Sequence, residues 1–229
     1  MFEAEKRVAD AAEGIGRGDP GAIAVLMEAL LLSGISMKMA GSSAPASGAE
    51  HLISHYWDMT ASSEGRVEGW HGAQVGVATI VSAGLYGYLR NLDPAGIDPD
   101  ALCSSRPDLV DDGQLQALHG SWWKLARREL DKKTLSDKDY VEELAKVLEG
   151  WERMWSHLDP VLRPADRVRR ILEKAGAPTR VGQLGLTGEQ LERAFVAARQ
   201  IRARLTVLDL CAELGLLENA KKQVCGFVK

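Results

Sequence analysis

Long runs of apolar residues at helical rather than alternating spacing set the frame for this chain. Residues 22–40 carry Ile23, Leu26, Met27, Leu30, Leu31 and Ile35 and are apolar nearly all round, which predicts a central, buried helix. Residues 72–90 form a second apolar helix, whose small residues Gly76, Ala83, Gly84 and Gly87 are spaced for close packing. Period-2 alternation never survives more than a few residues, so no sheet is expected. The reading is all-α: a single multi-helix domain over residues 1–229, of about eight to ten helices.

Start and stop signals divide the chain. Residues 2–15 read as a polar helix ended by Gly14, Gly16 and Gly18, and Asp19-Pro20 as an N-cap with proline at the first helical position. Ser47 with Glu50, and Thr187 with Gln190, have capping-box spacing, predicting helices from Gly48 and from Thr187 through Arg204. Asp98-Pro99 predicts a short helix over residues 99–104. Residues 114–130 and 138–158 read as single amphipathic helices, with Trp151 and Trp155, four apart, as core anchors. Residues 164–175 read as a basic helix whose charges make a solvated face. The helices over residues 112–217 close the domain, the last of them over residues 206–214 and ended by Gly215, with a frayed tail over residues 218–229.

Composition narrows the function classes. A chain of 229 residues, 45% hydrophobic with a net charge of −4, has an ordinary globular profile and is a poor match for nucleic acid. Cys103, Cys211 and Cys225 are far apart and form neither a CxxC pair nor a disulfide framework, which suits a reducing, cytoplasmic setting. The charged N-terminus has no apolar signal core, and no membrane span is expected. There is no GxGxxG after a strand and no P-loop, so a dinucleotide has no usual seat here.

The chemistry concentrates in residues 41–77, GSSAPASGAEHLISHYWDMTASSEGRVEGWHGAQVGV, which hold three of the five histidines. His51 and His55 are four apart and share one helical face, and His71 opens the next helix. Neutral imidazoles on one face can converge on a metal, although an HxxxH pair is more often a surface or core feature and no H-E-x-x-H pattern is present. His119 and His157 lie outside any ligand pattern and read as structural or surface residues.

The run GSSAPASGAEHLISHYWDM followed by WHGAQVGVAT resembles the sn-glycerol-1-phosphate dehydrogenases, of the iron-alcohol-dehydrogenase, glycerol-dehydrogenase and dehydroquinate-synthase-like superfamily, and IRARLTVLDLCAELGLL is similar to that family's last helices. The resemblance implies the family's C-terminal helical domain, with His51 and His71 as metal ligands, His55 beside the metal as a catalytic group, and Ser43 and Ser47 at the substrate. It implies a divalent metal, zinc first, and NAD(P) bound through a nucleotide domain that this chain lacks. The implied function is the metal-binding half of an NAD(P)-dependent oxidoreductase reducing dihydroxyacetone phosphate, inactive as the isolated chain. Alternatives are a catalytically inactive scaffold domain of the same family and the helical half of a dehydroquinate-synthase-like cyclase. Expected partners are a separate Rossmann-like chain, a second copy or another subunit, and a small phosphorylated substrate. Two departures stand out: the family's aspartate ligand lies upstream of this chain's first residue, and position 44, commonly arginine in the resembled run, is Ala44.

Overall fold

The structure, a computed structural model, describes residues 2–229. Among these residues there is no strand. Thirteen α-helices follow one another, linked by short 3-10 turns: α1 (Phe2–Gly16), α2 (Pro20–Ala40), α3 (Ala49–Ala61), α4 (His71–Arg90), α5 (Pro99–Ser105), α6 (Asp112–His119), α7 (Trp123–Asp131), α8 (Asp137–Glu149), α9 (Trp151–Leu158), α10 (Ala165–Lys174), α11 (Gly188–Ala197), α12 (Val207–Glu213) and α13 (Leu217–Val224).

The count exceeds the expected eight to ten because glycine and turn geometry cut two runs that periodicity joins, and because the tail forms a helix of its own, α13. Gly120, at a φ of 54°, separates α6 from α7, and Gly150 separates α8 from α9. The helix expected through Arg204 ends at Ala197 and gives way to a 3-10 turn, Ala198–Gln200. Several punctuation signals act as written. Asp19 accepts from the Ala22 N–H at 2.9 Å, Asp98 caps α5, and Thr187 and Gln190 close a reciprocal capping box.

The central helix is α4, not α2. Val77, Ala78, Ile80, Val81, Leu85 and Leu89 are fully buried, and α4 is packed by α3, α10, α12 and α13. In contrast α2 lies on α1 and leaves Met27, Leu30, Leu31, Ile35 and Met39 more than half exposed. This helix is also long and apolar enough to cross a membrane by length and composition. An all-round apolar helix requires cover on every side, but its sequence does not specify whether that cover lies within these 229 residues. Among the glycines of α4 only Gly84 permits a tight approach: a Cβ there would sit 2.8 Å from the Phe227 ring, whereas Gly72 and Gly87 face open space.

The main core joins α3, α4, α8, α9, α11, α12 and the C-terminus. Trp57, Trp151, Trp155 and Phe195 fill it, with the Trp151 and Trp155 rings edge to face at 5.8 Å. The tail is anchored rather than frayed: Val224, Cys225 and Val228 are buried, and the Val181 N–H bonds the Val228 carbonyl at 2.9 Å. Burial pushes the Cys211 and Cys225 thiols up to about 12, so both behave as apolar fillers. A buried ionic knot, with Lys133 at 2.6 Å and Arg199 at 3.2 Å from Asp209, ties the turn after α7 and the 198–204 segment to α12.

Candidate metal and substrate cleft

The start of α3 is built around Glu50. Gly48 is the N-cap residue and Glu50 Oε1 accepts the Gly48 N–H at 2.8 Å, so Ser47 makes no side-chain cap; its carbonyl instead accepts from Arg204. One face of α3 is driven inward by Leu52, Ile53, Tyr56 and Trp57, all essentially unexposed. The opposite face carries His51, His55 and Asp58, which follow the i, i+4, i+7 spacing and stay half-buried. The chain then turns through Ser62–Glu64. Arg66 returns its guanidinium to the Trp57 carbonyl at 2.9 Å and to Glu64 at 2.8 Å. That clamp sets where α4 can begin, and α4 begins with His71.

The three imidazoles come together. Ring centroids are 5.3 Å apart for His51 and His71, 5.5 Å for His55 and His71, and 6.2 Å for His51 and His55. His55, Asp58 and His71 each present one ligand atom within 4.8 Å of the others. His119 and His157 are elsewhere. His119 is buried, donates to Gln200 Oε1 at 2.6 Å and has its pKa lowered by burial, while His157 caps the Arg153 carbonyl at 2.7 Å on the surface.

Hydrogen bonding fixes how two of the rings present themselves. The His51 Nδ1–H donates to Glu50 Oε1 at 2.8 Å, because an ionised carboxylate can only accept, and Nε2 keeps its lone pair. For His71 the chain is longer. Gln74 Nε2 donates to Asp58 Oδ1 at 2.9 Å, which turns Gln74 Oε1 toward Ser54; Ser54 Oγ donates to that oxygen at 2.7 Å. With its proton committed, Ser54 Oγ accepts from His71 Nδ1–H at 3.1 Å, and His71 Nε2 is left with the lone pair. Ser54 and Gln74 are 0% and 2% exposed, so this relay is shielded from water. Metal-ligating histidines characteristically donate their other ring N–H to a carboxylate, carbonyl or hydroxyl in this way. His55 has its pKa lowered, first by burial, then by the neighbouring His71, His51 and Arg202, with Asp58 opposing, so it is neutral at physiological pH.

Residue chemistry in the cleft therefore fits a divalent metal: two imidazole nitrogens with fixed tautomers, a third imidazole, and a carboxylate within reach. Ser43 and Ser47 are brought to the same region and line a cavity of about 470 Å³ together with Leu52, His55, Arg202 and Arg204. Sequence reasoning missed Asp58, although its spacing from His51 and His55 marks the same helical face, and missed Gln74 and Ser54. It also missed Arg202 and Arg204, which no local signal connects to residues so far upstream. Nothing among the described residues forms the strand–turn–helix seat of a dinucleotide.

Similarity to known proteins is concentrated on one enzyme. The chain is 31% identical over 211 residues to the glycerol-1-phosphate dehydrogenase [NAD(P)+] of Geobacillus thermodenitrificans, covering 92% of this chain and 43% of that protein. It is 30% identical over 210 residues to the enzyme of the same name from Geobacillus stearothermophilus, again 43% of its length. A 73-residue stretch reaches 47% identity with the enzyme of Staphylothermus marinus. No family profile and no solved structure matches. The chain spans less than half the length of the relatives it matches most fully, and the matched portion is their C-terminal part. Over nine-tenths of its length the chain is thus similar to the C-terminal part of glycerol-1-phosphate dehydrogenases, consistent with a C-terminal domain of that family.

Proposed function

We propose that this chain is the metal-facing helical part of a glycerol-1-phosphate dehydrogenase-like oxidoreductase, in which His71 and His51 hold a divalent metal, zinc first, and His55 exchanges the proton of the substrate alcohol. The observation that carries this reading is the pair of hydrogen-bond relays that leave His51 Nε2 and His71 Nε2 as lone-pair donors in one cleft. A divalent metal held there supplies Lewis-acid polarisation of a substrate carbonyl oxygen. Asp58 offers a carboxylate within 4.8 Å of His55 and His71 from within this chain, where the resembled pattern takes its aspartate from upstream. His55, held neutral, accepts the alcohol proton in oxidation and returns it in reduction.

NAD(P) is named in the matched relatives, but the described residues do not fit a dinucleotide, so no hydride step is assigned to this chain. In this reading the nucleotide site lies on polypeptide outside these 229 residues. The uncovered apolar face of α2, and Trp70 at 89% exposed beside His71, are apolar surfaces that suit protein partners. A scaffold domain without catalysis is the second reading, favoured by Ala44 alone; the cyclase reading has no support in the names of these relatives.

Zinc titration of the pure chain against a chromophoric chelator tests the proposal. Stoichiometric micromolar binding is expected, abolished by His71→Ala and weakened by His51→Ala. Loss on Asp58→Asn with no effect of His51→Ala would move the site to His55, Asp58 and His71. Binding unchanged in all three variants would contradict a metal in this cleft.

A further inference from the structure

The 470 Å³ cavity beside His55 carries one sign of charge. Arg202 and Arg204 line it, no carboxylate does, and His55 forms its boundary with the histidine cleft. The two arginines are in different states. Arg204 donates to the Ser47 carbonyl through Nη1 and to Ser43 Oγ at 3.2 Å through Nη2, so it fastens the 43–47 loop to the segment after the Ala198–Gln200 turn. Arg202 has no hydrogen-bond or ion-pair partner among the described residues, and it is exposed. Ser43 Oγ, accepting from Arg204, keeps its own proton to give. A guanidinium without a partner, next to a free hydroxyl donor, matches a tetrahedral oxyanion better than a cation or an apolar group. Position 44 in the same loop is alanine, so the loop brings no cation of its own; the guanidinium arrives from a segment more than a hundred and fifty residues downstream.

We infer that Arg202, with the Ser43 hydroxyl, is the anion subsite of the cleft and takes the phosphate of a small phosphorylated polyol or ketone whose carbinol or carbonyl end lies toward His55 and His71. This assignment rests on the reading of the cleft as a substrate site, but it depends on a different residue and a different ligand from the metal. A nucleotide carries the same phosphate chemistry, and the arms of the test separate the two sources.

The test is a calorimetric titration of the full chain, without added metal, using glycerol 1-phosphate, glycerol, inorganic phosphate and NADP+ as probes. Glycerol 1-phosphate is expected to bind more tightly than glycerol, with inorganic phosphate competing. Arg202→Gln should weaken glycerol 1-phosphate about tenfold or more, the scale of one charge-assisted hydrogen bond. Arg202→Lys should recover part of the loss, and the melting temperature of both variants should match the parent. Equal binding of glycerol and glycerol 1-phosphate, or an Arg202→Gln variant that binds as the parent does, would overturn the inference whatever the zinc result. Arg202-dependent binding of NADP+ but not of glycerol 1-phosphate would overturn the substrate assignment and give the subsite to the nucleotide. A null zinc titration with Arg202-dependent glycerol 1-phosphate binding would sink the metal reading alone.

Discussion

Replacing Gln74 with methionine tests whether the hydrogen-bond relay behind His71 does what its geometry implies. Gln74 is 2% exposed and makes two side-chain bonds, accepting from Ser54 at 2.7 Å and donating to Asp58 at 2.9 Å. Methionine keeps the length and apolar bulk, so little cavity is created. Losing the charge-assisted bond to Asp58 and the bond from Ser54 together costs about 2–4 kcal/mol. For a chain of this size that corresponds to a fall in melting temperature of roughly 5–15 °C. The second effect is chemical. A Ser54 hydroxyl without an acceptor turns and donates to His71 Nδ1, which places the ring proton on Nε2 and removes the lone pair from the cleft. Zinc affinity should then drop about tenfold to a hundredfold. Circular-dichroism melting and chelator competition measure the two effects separately. A melting temperature within a degree of the parent would refute the energetic argument. A clear loss of stability with unchanged zinc affinity would refute the tautomer argument.

Three further outcomes are expected. Burial raises the Glu213 carboxyl to about 7, with Asp209 and Asp108 adding and Arg199 and Lys133 opposing, so the folded state holds it neutral and stability is lost as pH rises from the ordinary carboxylate range to about 7. Glu213→Gln should therefore stabilise the protein by about 2–3 kcal/mol at pH 8 and by almost nothing near pH 4, read by urea melts at both values. Leu31→Glu on α2 should change stability by less than about 0.5 kcal/mol, whereas Leu85→Ala in α4 should cost about 2–5 kcal/mol; comparable losses would mean that α2 is covered. Pure chain mixed with NADPH and dihydroxyacetone phosphate should show no turnover, and turnover abolished by His51→Ala would place a nucleotide site within these residues.

What was legible in the sequence follows from how local each signal is. The all-helical class, the caps at Asp19, Asp98 and Thr187, and the meeting of His51, His55 and His71 depend on residues within a turn or two of one another, or on two helices joined by a short clamped loop. The choice of central helix was not legible. Residues 22–40 and 72–90 are both apolar, and only packing partners, most of them distant in sequence, make α4 the core and leave α2 uncovered. The breaks at Gly120 and Gly150 fall inside periodic runs that a hydrophobic pattern reads through. In the site, Asp58 was within reach of the same face rule that found His51 and His55. Arg202 and Arg204 were not, because a 3-10 turn ending α11 carries them to a loop from the other end of the chain.

The central claim is a divalent metal held between α3 and α4, and anomalous diffraction at the zinc edge, from crystals grown with one equivalent of zinc, tests it most directly. The expected result is one strong peak in the histidine cleft, about 2.1 Å from His71 Nε2 and from a second imidazole nitrogen, with His71 Nδ1 still within hydrogen-bonding distance of Ser54 Oγ. Zinc bound only at surface groups such as His157, with the cleft showing no anomalous density, would contradict it.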